Sequence, residues 1–265
     1  MQKRIISSII MAIIVIPLFL FGGLPFKLGS AILAILAYKE IYSLKDSHHN
    51  LPLPVITFGL LAIICLVLVN YNGYALFLGF PYQTIALTFL AFLLPTIFPQ
   101  TNRLYTTSDA LYLGGAVILL GVFFNALIMI ETTNKWLLLY LALIAMSTDC
   151  FAYLIGSLIG RHKFTPISPK KSIEGSIFGT IIATMICATY YLTVINPHAM
   201  IFKVIILTII LSIMGQCGDL VFSKIKRENN IKDFSHLIPG HGGILDRFDS
   251  LIFIIFTYLI IFNLL

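Results

Sequence analysis

Residues 47–102 contain no Asp, Glu, Lys or Arg. A water-soluble domain does not run that far without charge, since about a quarter of its residues are ionised to keep the outer faces wet. A helix crossing a bilayer needs about 20 apolar residues, because the hydrocarbon is ~30 Å thick and the helix rises ~1.5 Å per residue. The stretch is too long for one crossing and suits two, near 53–69 and 74–98, with the turn residues Asn70-Tyr71-Asn72-Gly73 between them. Pro81 and Pro95 are placed to kink or shorten the second.

The rest of the chain follows the same rule. It is 59% hydrophobic and 11% charged, with a mean hydropathy of +0.99. Those values exclude an ordinary soluble globule and a disordered chain. Long unbroken apolar runs also exclude a membrane β-barrel, whose strands alternate over ~10 residues. The expectation is an all-α polytopic membrane protein of about nine spans, with eight to ten compatible with the hydropathy. A first helix near 5–26 is read as retained. Others fall near 26–44, 110–130, 136–160, 175–195, 201–222 and 248–265. Two regions are expected: 1–135, for packing and lipid contact, and 136–265, which carries the polar loops 161–174 and 223–247. Placing the N-terminus inside puts most of the 17 basic residues, and both long polar loops, on the cytoplasmic side. The net charge of +6 is then a matter of membrane topology and anionic lipid or substrate, with no nucleic-acid partner implied. The four cysteines all lie in apolar runs with no CxxC pair, so neither a disulfide nor a metal is assigned to them.

Polar chemistry begins at Asp149. An acid at bilayer depth is expensive and normally faces a wet cavity or a partner, which directs attention to Asp149 and Asp219. Segment 223–249 then packs five cations, four acids, two histidines and three glycines into 27 residues. Asp246 and Asp249, three apart at the start of the last helix, share a face, and Asp219 approaches from the helix before. Such carboxylates suit a hard cation such as Mg²⁺ with phosphate co-ligands. Gly240, Gly242 and Gly243 leave backbone N–H groups open to phosphate. Lys226, Arg227, Lys232 and Arg247 can neutralise a polyphosphate. His241 is a phosphate donor, a general acid or a plain hydrogen-bonding histidine. In the other loop Ser168, Lys170 and Lys171 can bind a triphosphate, and Glu174 complements the dipole of the helix it opens. Acids for metal, cations for phosphate and glycines for close approach point to phosphoryl or nucleotidyl transfer.

These residues carry a resemblance. The run from Ser223-Lys-Ile-Lys226-Arg227 through Lys232-Asp233 to His241-Gly242-Gly243-Ile-Leu-Asp246-Arg247-Phe248-Asp249 resembles the motif of the phosphatidate cytidylyltransferase family. The upstream residues Asp149, Ala152-Tyr153, Gly160-Arg161, Ser168-Pro169-Lys170-Lys171 and Glu174-Gly175 are similar to it as well. The resemblance covers residues 145–265; before residue 140 only hydropathy matches. It implies a metal-dependent membrane enzyme of the cytoplasmic membrane of bacteria, its site facing the cytoplasm, that converts CTP and phosphatidic acid to CDP-diacylglycerol and pyrophosphate. It further implies a homodimer, Mg²⁺ with K⁺ as a second cation, and metal ligation by Asp219, Asp246 and Asp249. Lys226 and Arg247 would act with those acids in catalysis. Nucleotide contacts are expected from Ser168, Lys170, Lys171, Ser223, Arg227, Lys232, His241, Gly242 and Gly243. Two other readings compete: a CTP-dependent polyprenol or phytol kinase, and an ion-coupled transporter that uses Asp149 and Asp219 as ion sites.

Overall fold

The computed structural model describes residues 2–46, 51–68, 82–97, 105–165, 167–169, 171–240 and 242–261. The expected turn at Asn70–Gly73, together with Pro81, Lys170 and His241, lies outside the described residues. Among those described there are eight α-helices and no β-strand. They are α1 (Gln2–Phe21), α2 (Gly23–Asp46), α3 (Leu53–Leu68), α4 (Tyr82–Leu93), α5 (Thr107–Ile159), α6 (Ile173–Tyr190), α7 (Ile201–Glu228) and α8 (Leu245–Ile261). Among the described residues three helical stretches are long and apolar enough to cross a membrane: Thr107–Ile159, Ile173–Ile195 and Ile201–Glu228. Large apolar side chains stand on their outer faces, Leu158 at 82% exposure and Phe202 at 73%. A protein in water would bury them; lipid removes the need.

Two compact units divide the chain. The first contains residues 1–129 and 234–245. In it α1 ends and α2 begins at Gly22 and Gly23, with φ of 59° and 57°, a left-handed pair that glycine adopts without strain. That break comes earlier than the expected boundary near residue 26, because a charge count cannot see a left-handed glycine pair between two apolar runs. Pro95 lies in the 3₁₀ turn Leu94–Ile97 that ends α4. Tyr38, Phe92, Phe123 and Phe124 fill the core of this unit, and the Asn125 amide donates to the last carbonyls of α3, Leu66 O and Val67 O.

The second unit contains residues 130–233 and 246–265. Here α5 is broken at Asn134 (φ −155°, ψ 99°). The Asn134 side chain accepts from the N–H groups of Trp136 (3.0 Å) and Leu137 (3.4 Å), capping a second arm, 135–159. Two glycine pairs spaced by four lie where that arm meets α6: Gly156 with Gly160, which follows the arm's last residue and lies against the cap Ser172, and Gly175 with Gly179 on α6. A Cβ on Gly175 would stand 2.5 Å from Ala152 O, and one on Gly179 2.8 Å from Ala152 N. Small residues at this spacing let membrane helices approach backbone to backbone. Hydroxyl and amide groups tie α5, α6 and α7 together below the site. Thr148 bonds Ser212 (2.8 Å), Ser212 bonds Thr180 (3.3 Å), and the Gln216 amide donates to Thr180 (2.8 Å). The expected end of the span at Asn196-Pro197 is found, a π turn Tyr191–Ile195 closing on Asn196.

One element is longer than expected. Helix α7 continues through Glu228, so the first residues of segment 223–247, read as loop, are helical. Ser-Lys-Ile-Lys-Arg-Glu is a run of adequate helix formers, and Lys224 and Glu228 pair at i,i+4 (3.7 Å). Charge marks where a helix leaves the membrane and need not mark where it stops.

Candidate active site

The second unit gathers the acids and cations. On α7, Gly215 and Gly218 face α8: a Cβ on Gly218 would sit 2.6 Å from Asp249 O, and one on Gly215 2.8 Å from Ile254 Cδ1. This close contact brings Asp219 and Asp249 into each other's field. Asp149, on α5, is within electrostatic reach of both and accepts from Ser250 Oγ at 3.3 Å. Three carboxylates from three helices therefore share one neighbourhood. Asp149, which the sequence marks by its depth and by the upstream part of the family resemblance, belongs to this group.

Lys171 answers that negative charge. It forms an ion pair with Asp219, the two side chains being about one-fifth exposed. The Lys171 nitrogen is buried and makes no well-directed hydrogen bond, so the contact is one of charge. The loop that presents it folds back on itself. Phe164 N–H donates to Lys171 O (2.9 Å), Lys171 N–H to Ser168 O (3.1 Å), and Ile173 N–H to His162 O (3.0 Å). Thr165 Oγ1 accepts from the Ile167 and Ser168 N–H groups, and Ser172 caps α6 through Gly175 N (3.1 Å). Glu174 does more than complement a dipole. It accepts from the backbone N–H groups of Arg161 (3.2 Å) and His162 (3.3 Å) and pairs with His162 Nδ1 (2.6 Å), closing the base of the loop.

Lys226 and Asp246 form a second pair, Nζ to Oδ1 2.7 Å, with side chains 10% and 5% exposed. Lys226 lies on the buried face of α7 with Gly218 and Phe222. Asp246 is therefore paired directly with an ammonium group, whereas Asp249, one turn on, lies in the field of Asp219 and Asp149 with Lys226 offsetting part of it. Among the described residues no three His, Cys, Asp or Glu side chains stand close enough to hold a metal ion by themselves. Ser223 Oγ donates to Asp219 Oδ1 at 3.5 Å. Arg227 turns away to donate to Ile231 O (3.0 Å) at the exposed end of α7. Lys232 and Arg247 are exposed.

Beside these charges, in the same unit, an apolar groove of about 780 Å³ runs between α6 and α7. Phe164, Ser176 and Gln216 line the end next to the loop and Asp219. Ile181 and Met185 on α6 and Ile205 and Ile209 on α7 line the rest.

The first unit holds the glycine turn. Gly240 and Gly242 have φ of 81° and 82°, and Ile238 N–H donates to Gly242 O at 3.0 Å. Gly243 lies against the carboxyl group of Glu40, a residue of α2 that no sequence motif marks. Ser235 Oγ and the backbone of Ile244 and Leu245 bond the same carboxylate.

The sequence pattern of the cytidylyltransferase family matches residues 2–265. A protein of Staphylococcus haemolyticus named phosphatidate cytidylyltransferase is 34% identical over 256 residues, 96% of each chain. One of the same name from Bacillus subtilis is 33% identical over 266 residues, covering 98% of this chain and 97% of its own. A third, from Staphylococcus aureus strain COL, is 33% identical over 258 residues, 96% of each.

Proposed function

The chain belongs to the cytidylyltransferase family, and from that premise we propose that it transfers the cytidylyl group of CTP to phosphatidic acid. The observation that carries this reading is the family match along essentially the whole chain, with relatives named for that activity at similar length. In the reaction a phosphate oxygen of the lipid attacks the α-phosphorus of CTP. The bond from that phosphorus to the bridging oxygen breaks, and pyrophosphate leaves with the electron pair. The attacking oxygen is already anionic, so no protein nucleophile or hydroxyl-activating base is needed.

The residues fit those demands. Lys171 has donors to spare and sits where a triphosphate would approach Asp219, so it draws in phosphate charge and steadies the leaving group. Lys170 would assist from the same loop. Lys226 holds Asp246, which fixes the first turn of α8. Arg247, Arg227 and Lys232 supply cations at the surface. Ser168, Ser223, His241, Gly242 and Gly243 complete the nucleotide contacts inferred from the motif. The groove between α6 and α7 takes one acyl chain, its polar end toward Gln216 and its apolar length in the bilayer.

Mg²⁺ fits a donor set made only of carboxylates and hydroxyls. An ion that keeps one or two carboxylates and fills its remaining positions with phosphate oxygens and water does not require a ready-made cage. Asp219 and Asp249 would hold it, with Asp246 as the third acid. When bound it supplies charge neutralisation at the reacting phosphates. K⁺ as a second cation, a homodimer, about nine crossings and a cytoplasm-facing site in a bacterial inner membrane complete the proposal. A CTP-dependent lipid kinase would release CDP, and an ion-coupled transporter would leave the family match unexplained; neither is favoured.

The test is direct: purified protein, phosphatidic acid, and each of the four nucleoside triphosphates in turn with Mg²⁺. Pyrophosphate release with CTP is expected. CDP release in its place would favour the kinase, and no nucleotide turnover would sink the assignment.

A further inference from the structure

We propose that Glu40 is a positioning residue for the transfer, a reading that rests on the cytidylyltransferase assignment above. Glu40 is only 4% exposed. A carboxylate so enclosed is costly unless its oxygens are hydrogen-bonded, and here three neutral donors bond it. Oε1 accepts from Ser235 Oγ (2.6 Å) and Ile244 N (2.8 Å), and Oε2 from Leu245 N (2.9 Å).

The placement gives those bonds their meaning. The N–H groups of Ile244 and Leu245 open α8, and the first N–H groups of a helix have no partner within it. A negative group there also complements the helix dipole. Helices usually obtain this cap from a neighbouring Ser, Thr, Asp or Asn. The residues before Leu245 are Gly-Gly-Ile, which have no side chain able to supply it. The cap comes instead from α2, more than two hundred residues earlier. Gly243 makes the approach feasible, because a Cβ there would stand 2.7 Å from the Glu40 carboxyl carbon.

The same carboxylate also reaches Ser235, so it ties both ends of the turn 235–245. That turn contains two left-handed glycines and would otherwise sample many conformations. Asp246 follows Leu245 directly. The cap thus fixes the residue at which α8 starts, immediately before Asp246 in the chain, without Glu40 touching substrate.

Full-length protein in mixed micelles with phosphatidic acid, CTP and Mg²⁺ tests this with Glu40→Ala, Glu40→Gln and Ser235→Ala. In Glu40→Ala, kcat should fall about 30-fold, within the range for loss of an orienting partner, while the KM for CTP stays within about threefold. Hydrogen exchange at the Ile244 and Leu245 amides should quicken while α6 and α7 stay protected. Glu40→Gln keeps one acceptor oxygen and should lose roughly a third as much in kcat. Ser235→Ala, which leaves both backbone bonds, should stay within about twofold of the unsubstituted protein. Unchanged kcat in Glu40→Ala, or unchanged exchange at residues 244 and 245, would overturn the proposal. If Glu40→Ala does not fold, Gly243→Ala decides: its methyl group pushes on the carboxylate, so exchange at the same two amides must rise, and unaltered exchange would again overturn it. Absence of pyrophosphate release by the unsubstituted protein would sink the assigned reaction, while the exchange data would still decide the role of Glu40.

Discussion

Lys226 and Asp246 form an enclosed ion pair between the last turn of α7 and the first turn of α8, 2.7 Å from Nζ to Oδ1. Removing one partner takes the direct counter-charge from a group in a poorly solvated place, at a cost of up to about 3–5 kcal/mol. Lys226→Met and Asp246→Leu should each lower the apparent melting temperature in detergent. The double substitution Lys226→Met with Asp246→Leu should recover most of that loss and none of the activity. Thermal unfolding of the three variants checks this, and a double variant no more stable than the singles would show that the pair is not acting as a unit.

Lys171 and Asp219 form a more accessible pair, and its two members should fail differently. Asp219→Asn removes an acid from the neighbourhood of Asp149 and Asp249. It should lower turnover by about 10²–10³ and raise the Mg²⁺ concentration needed for half-maximal rate. Lys171→Met should weaken inhibition by pyrophosphate about tenfold, the scale of one charge-assisted contact. Rate measurements over a Mg²⁺ series and pyrophosphate inhibition constants distinguish the two. Equal Mg²⁺ dependence in Asp219→Asn and the unsubstituted protein would remove Asp219 from the metal site. Chelation of divalent ions should abolish pyrophosphate release, and Mg²⁺ should restore it.

If the groove between α6 and α7 takes an acyl chain, filling it should discriminate by chain length. Ile209→Trp should raise the KM for long-chain phosphatidic acid about tenfold, a loss of ~1.4 kcal/mol, and leave the KM for CTP and for a short-chain analogue unchanged. A uniform effect on all three substrates would point to packing damage. A change in oligomeric state would point to a protein partner in the groove.

Gly179 has Ala152 N, Cα and Cβ all within 2.9 Å of where its Cβ would stand. Gly179→Ala must force α5 and α6 apart, with a destabilisation of about 1–3 kcal/mol. Melting temperature checks this, and the same change at Gly115, where nothing lies within 4 Å, should be close to neutral.

Much of the architecture was legible because hydrophobic thickness imposes a length on every crossing. The break at Asn134, the end at Asn196 and the apolar run of α7 all follow from counting. The company that side chains keep was not. The sequence marks Asp219 as an acid in an apolar helix and Lys171 as a cation of a polar loop but does not reveal that they meet. It marks Asp149 as costly without placing it beside Asp249. The glycine pairs where α5 meets α6 were visible as a spacing of four, a signal for close helix contact that a search for phosphate-binding residues passes over. Glu40 had no signal at all, since its partners are backbone groups two hundred residues away and a lone acid near the end of an apolar helix reads as an interfacial charge.

The second arm of α5 has a further consequence. From Asn134, which caps its start, to Asp149 there are fifteen helical steps, or about 22 Å of rise. Two polar residues are thus fixed on one rigid rod, separated by most of the ~30 Å width of a bilayer interior. An interior wider than this spacing holds Asp149 within the hydrocarbon layer whenever Asn134 lies at its edge, so the acid depends on polar partners such as Ser250 from the neighbouring helix.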